Sequence, residues 1–115
     1  MSLMYEITMS VKGFNHLSVK RIGKFLRESY KIDIAFCQSG NIENAELKST
    51  FKVDLSGQDE RDYSKKIAMD VMRENGEPCD VVVWATCLED LPHNTYYFEA
   101  EQASLLFPGM FTKGE

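Results

Sequence analysis

Twice along this chain a run with apolar residues at every second position gives way to a run with helical spacing, and that change of period limits the possible folds more than any bulk property. Tyr5, Ile7, Met9 and Val11 alternate with Glu6, Thr8, Ser10 and Lys12, as in a strand with one wet face. Gly13-Phe14-Asn15 breaks the pattern, and helical spacing begins at His16 with Asn15 or Ser18 available as the cap. At about 100° per residue, Ile22, Phe25, Leu26 and Tyr30 share one side of this helix, opposite Lys20, Lys24, Arg27 and Lys31.

Period two returns in Ile32, Ile34 and Phe36, which alternate with Asp33, Ala35 and Cys37 as a second strand. The turn formers Gln38-Ser39-Gly40-Asn41 follow, with a short turn expected over residues 42–46. A third strand places Leu47, Phe51, Val53 and Leu55 inward against Lys48, Thr50, Lys52 and Asp54. Ser56-Gly57-Gln58-Asp59 then offers capping oxygens, and Glu60 and Asp62 favour the positive end of a second helix. Tyr63, Ile67, Ala68, Val71 and Met72 line its apolar side, with Lys65, Lys66, Asp70 and Arg73 opposite. Asn75-Gly76 supplies a left-handed stop, and Pro78 prevents continuation.

Residues 80–88 form a strand that is apolar on both faces, Val81, Val83 and Ala85 on one and Val82 and Trp84 on the other, so both faces call for cover. Residues 89–94 read as a turn, and residues 95–101 as a last strand with Tyr96 and Phe98 against Tyr97, Glu99 and Glu101. The apolar tail, residues 103–111, is the expected cover for Val82 and Trp84, with docking on a partner as the alternative. The order strand, helix, strand, strand, helix, strand, strand implies an α+β chain. The expected architecture is a ferredoxin-like two-layer sandwich (βαββαβ) with an additional C-terminal strand and the tail.

A chain of 115 residues suits one domain, read as residues 4–114, and Met1-Ser2-Leu3 ahead of Met4 reads as a cloning leader, with Glu115 as the stub of a tag. Composition matches globular usage, and no apolar run approaches the length that a bilayer requires. The start carries no secretion signal, and the three cysteines make no disulfide framework. On an extended strand Cys79 and Cys87 would lie about 26 Å apart, beyond bridging reach. Free thiols and a cytoplasmic, reducing compartment are expected.

Motifs for nucleotide, redox or paired-histidine chemistry are missing, so no cofactor and no metal ligand set is implied, and His93 with Glu89 or Asp90 lacks a fourth partner. The junction from Lys12 to Ser18 combines free helix-start amides with Lys12, Asn15, His16 and Ser18, an arrangement suited to phosphate or carboxylate. Residues 10–31 hold Lys12, Lys20, Arg21, Lys24, Arg27 and Lys31 against Glu28 alone, a balance of +5 in a chain of net charge −5. The stripe Lys20, Lys24, Arg27 and Lys31 is therefore a candidate surface for an acidic partner or nucleic acid, although the acidity of the rest opposes phosphates. Clear outward positions on the first and third strands hold no aromatic residue for base stacking.

Residues 32–38 present a strand edge with Asp33 as its one charge, which invites pairing with another chain. The leading reading is a small binding or regulatory module without catalysis, acting through protein contacts and as a homo-oligomer. A nucleic-acid or acidic-partner binder using the stripe is the first alternative. The second is a small anion-binding enzyme at the first strand-helix junction.

Overall fold

The computed structural model describes residues 4–37, 45–55, 59–88 and 93–109, for Cys37 the backbone alone. Strand β1 (Met4–Lys12) leads through a 3-10 turn at His16–Ser18 into helix α1 (Val19–Tyr30). Strands β2 (Ala35–Cys37) and β3 (Glu46–Asp54) precede helix α2 (Glu60–Asn75). Strands β4 (Asp80–Cys87) and β5 (His93–Phe98) follow, and a 3-10 turn at Ala100–Gln102 runs into the short helix α3 (Ala103–Leu106). The protein is α+β, with one antiparallel sheet in the order β2-β3-β1-β4-β5.

Register decides which side chains meet the helices, because residues directly opposite each other share a face. Ile7 stands between Phe51 and Ala85, Met9 between Ser49 and Val83, and Val11 between Leu47 and Val81. These positions join Ile22 and Leu26 of α1 and Ile67, Ala68, Val71 and Met72 of α2 in one core. Each such large side chain, once fully buried, contributes about 1.5–3 kcal/mol. Both helices therefore cover the same side of the sheet.

Local signals place the helix ends. Asp59 caps α2, its Oδ1 accepting from Arg61 N at 2.7 Å and Asp62 N at 3.2 Å. Gly76 ends it at φ +82°, where a side chain would be strained. Helix α1 ends without glycine: Lys31 adopts φ +60°, and the next amide, Ile32 N, donates to Leu26 O at 3.2 Å.

Several sequence expectations are corrected. Among the described residues the second strand is paired over three residues; Ile32 is buried ahead of it, and Phe36 is 47% exposed. Glu46 opens β3 instead of ending a turn, while the loop expected at residues 38–44 lies outside the described residues. Strand β5 starts at His93 and stops at Phe98, after which the chain coils. Asp70, expected on the polar side of α2, is buried. The described part of the tail, residues 103–109, packs on the helix side of the sheet and not over Val82 and Trp84. Phe107 lies 6.3 Å from the inward ring of Phe98, and both it and Ala103 belong to the helix-side core; Met110 and Phe111 lie outside the described residues.

Candidate functional site

The strand-helix junction is built around Asn75, the last residue of α2, which is buried. Its Oδ1 accepts from Asn15 N at 2.7 Å, its Nδ2 donates to Glu77 O at 2.7 Å, and its carbonyl accepts from Ser18 Oγ at 3.0 Å. Asn15 Oδ1 accepts from Leu17 N at 3.0 Å, so its side chain caps the 3-10 turn. Arg21 donates from Nε to Glu74 O at 2.6 Å and from Nη2 to Ser18 Oγ at 3.1 Å. Of the four residues expected to hold an anion, the fold brings Asn15, His16 and Ser18 to one turn. Ser18 is buried there, and the side chains of Asn15 and Ser18 are engaged within the chain. Lys12 takes an outward position opposite Glu46 and Asp80. His16 is exposed, its ring 4.8 Å from Phe14 and 6.0 Å from Phe36.

Lys20, Lys24, Arg27 and Lys31 are all exposed, as the stripe requires. Arg27 Nε pairs with Asp33 Oδ1 at 3.1 Å, whereas the three lysines make no ion pair among the described residues. Both partners of that pair are largely exposed, where such contacts contribute little.

Two polar clusters on the helix side went unread in the sequence. Glu60, in the first turn of α2, accepts from Tyr96 Oη at 2.8 Å and from Asn94 Nδ2 at 3.0 Å. Hydrogen bonding to Glu60, then burial, pushes Tyr5 up to about 12; burial, then the Glu60 bond, does the same to Tyr96. Asp70 accepts from Tyr30 Oη at 2.5 Å and from Arg73 Nη2 at 2.6 Å, and the Arg73 guanidinium lies 5.9 Å from the Phe25 ring. Burial, reinforced by Asp70, raises Tyr30, and burial takes Tyr63 to about 12. Phenols held protonated against carboxylates are clamps, not nucleophiles, at neutral pH. A signal for both was present: Glu60 and Asp70 each lie seven residues, close to two full turns, from Ile67 and Tyr63 respectively on the apolar side.

Cys79 and Cys87 are free and buried, and burial pushes the Cys79 thiol up to about 12, so it is not an activated nucleophile. Among the described residues no buried side-chain nitrogen or oxygen lacks a partner, no cluster of three His, Cys, Asp or Glu could hold a metal ion, and no helix is long and apolar enough to cross a membrane. Glu89 and Asp90 lie outside the described residues.

The other side of the sheet differs in kind. Thr8 Oγ1 and Thr50 Oγ1 lie 3.1 Å apart, Ser10 Oγ donates to Glu46 Oε2, and Glu6 stands opposite Lys52. Across β4 and β5, Val82 pairs with Tyr97 and Trp84 with Thr95. Trp84 is partly exposed and Tyr97 is 65% exposed. A groove of about 540 Å³ runs between β5 and α2, lined by Arg61, Asp62, Lys65, the strand residues 95–98 and Leu106. Comparison with protein families, with characterised proteins and with solved structures finds no match to this chain.

Proposed function

We propose that the chain is a non-catalytic binding module that acts through protein contacts as a homo-oligomer, with the open face of its sheet as the contact side. One observation carries this reading: Val82, Trp84 and Tyr97 form an apolar and aromatic strip on the face that the helices leave uncovered. Tryptophan and tyrosine bring large contact area with few rotatable bonds, and both recur as binding anchors. Opposite charges alternate around the strip, Glu6 facing Lys52 and Lys12 facing Glu46 and Asp80. Such a surface complements another protein better than a polyanion, which needs a run of one sign. The hydrogen-bonded carboxylates and protonated phenols of the helix side support the absence of catalysis. A reducing compartment belongs to the same proposal, supported by the two free, buried thiols.

We propose that part of the sheet is ferredoxin-like. The order β2-β3-β1-β4, with a helix between β1 and β2 and another between β3 and β4, supports a split arrangement, and β5 departs from it as an added edge. Light scattering tests the function: the wild-type chain is expected to show the mass of a dimer or larger closed assembly. A monomer at every concentration would contradict it.

A further inference from the structure

The two edges of the sheet are protected unequally. At one edge β2 offers three residues among the described residues, a short run for a stable pairing. At the other, β5 offers the six residues His93–Phe98, and no further strand pairs with it among the described residues. Edges that must stay free commonly carry lysine, proline or a bulge, and this one has none of them. Its open backbone borders the groove of about 540 Å³ beside α2.

We infer that β5 is the pairing edge of a homodimer, in which β5 of a second copy adds antiparallel to it and continues the sheet across a two-fold axis. This rests on the protein-contact reading above and names its partner and surface. An antiparallel pairing of one strand with itself is self-complementary, so the same edge serves both copies. Because outward side chains must stay outward, the axis falls between a residue and its own copy: Thr95 meets Thr95 of the other copy, or Tyr96 meets Tyr96 and Thr95 meets Tyr97. Either register joins the two open faces, bringing the exposed Tyr97 rings into the centre of the doubled surface.

Charge on the flanking helix favours the same partner. Arg61, Asp62 and Lys65 of α2 are exposed at the groove and make no ion pair among the described residues. A two-fold axis beside them sets the cations of each copy against the Asp62 of the other, a reciprocal match. The groove leaves room for the inward side chains of the incoming strand, Asn94 and Tyr96 among them. An extended segment of an unrelated protein would gain the same backbone bonds without this reciprocity.

Directed cross-linking tests the inference in chains carrying Cys37→Ser. Opposite positions in an antiparallel pair lie within disulfide reach. Under mild oxidation, Thr95→Cys is expected to form a covalent dimer with itself, or with a Tyr97→Cys chain in the alternative register. Leu105→Cys, 81% exposed on α3, is expected to give none. Tyr97→Lys, which alters an exposed position, is expected to reduce the dimer at least tenfold in apparent affinity while leaving the circular dichroism of the monomer unchanged. A dimer that persists with neither cross-link and with Tyr97→Lys neutral overturns the edge pairing and leaves the protein-contact reading standing. A monomeric wild type overturns both. A monomer whose β5 amides become protected only by an added, unrelated extended peptide overturns the second copy as occupant.

Discussion

The same strands present two surfaces with different physics. Toward the helices, Ile7, Met9, Val11, Leu47, Val81 and Val83 are buried almost without remainder, and every polar intrusion, Ser49, Glu60, Asp70 or Asn75, has a hydrogen-bond partner. Away from them lie threonines, charges of opposite sign at facing register positions and the strip of Val82, Trp84 and Tyr97. The first surface holds the fold together. The second can be altered while the core stays untouched.

Neighbouring valines on β4 put the contrast to its sharpest test. Val83 is fully buried, while Val82 is only partly so. Val83→Thr inserts a hydroxyl among apolar neighbours and is expected to cost about 2 kcal/mol in urea unfolding, since the two side chains differ chiefly by that group. Val82→Thr, with water and other threonines at hand, is expected to cost less than about 0.5 kcal/mol. Equal losses would erase the distinction between the faces.

Alkali is expected to act on the helix side alone. Tyr5, Tyr63, Tyr96 and Cys79 are each raised to about 12 by burial or by hydrogen bonding to Glu60. A group with a raised folded pKa binds its proton more tightly in the folded state, so its stabilisation is complete below the unfolded pKa and lost above it. The urea midpoint is therefore expected to hold to about pH 9, where the thiol reference lies, and then to fall through pH 10 toward pH 12. An unchanged midpoint across that window would show that these groups are neither buried nor hydrogen-bonded as described.

The smallest effect is expected on the outer side of α1. Reversing Lys24 and Lys31 to glutamate removes two exposed cations that lack ion pairs among the described residues, and stability is expected to move by less than about 0.5 kcal/mol. Retention on a polyanion column is expected to stay the same if contacts are made at β5. A large drop would transfer the binding role to the stripe.

Much of the fold was legible because period and burial coincide: the inward sets of β1, β3 and β4 and the apolar side of α2 are those the alternation indicates. Legibility failed where polar residues are buried with partners distant in sequence. The charge of Asp70 suggests exposure, yet its helical angle matches that of Tyr63. Ser18 and Asn15 looked like free ligands because their partner, Asn75, lies about sixty positions away. The tail was apolar enough to cover something, and only the side on which Phe98 points decided that it joins the helix-side core. The unequal edges depend on how long each strand stays paired, which periodicity cannot give.

The proposed contacts form at β5 and the open face beside it. Amide hydrogen exchange measured at rising protein concentration addresses this directly. Residues 93–98 are expected to slow markedly as the chain associates, while residues 35–37 at the opposite edge exchange at a constant rate. Equal exchange of residues 93–98 at all concentrations, or new protection on α1 instead, would contradict it.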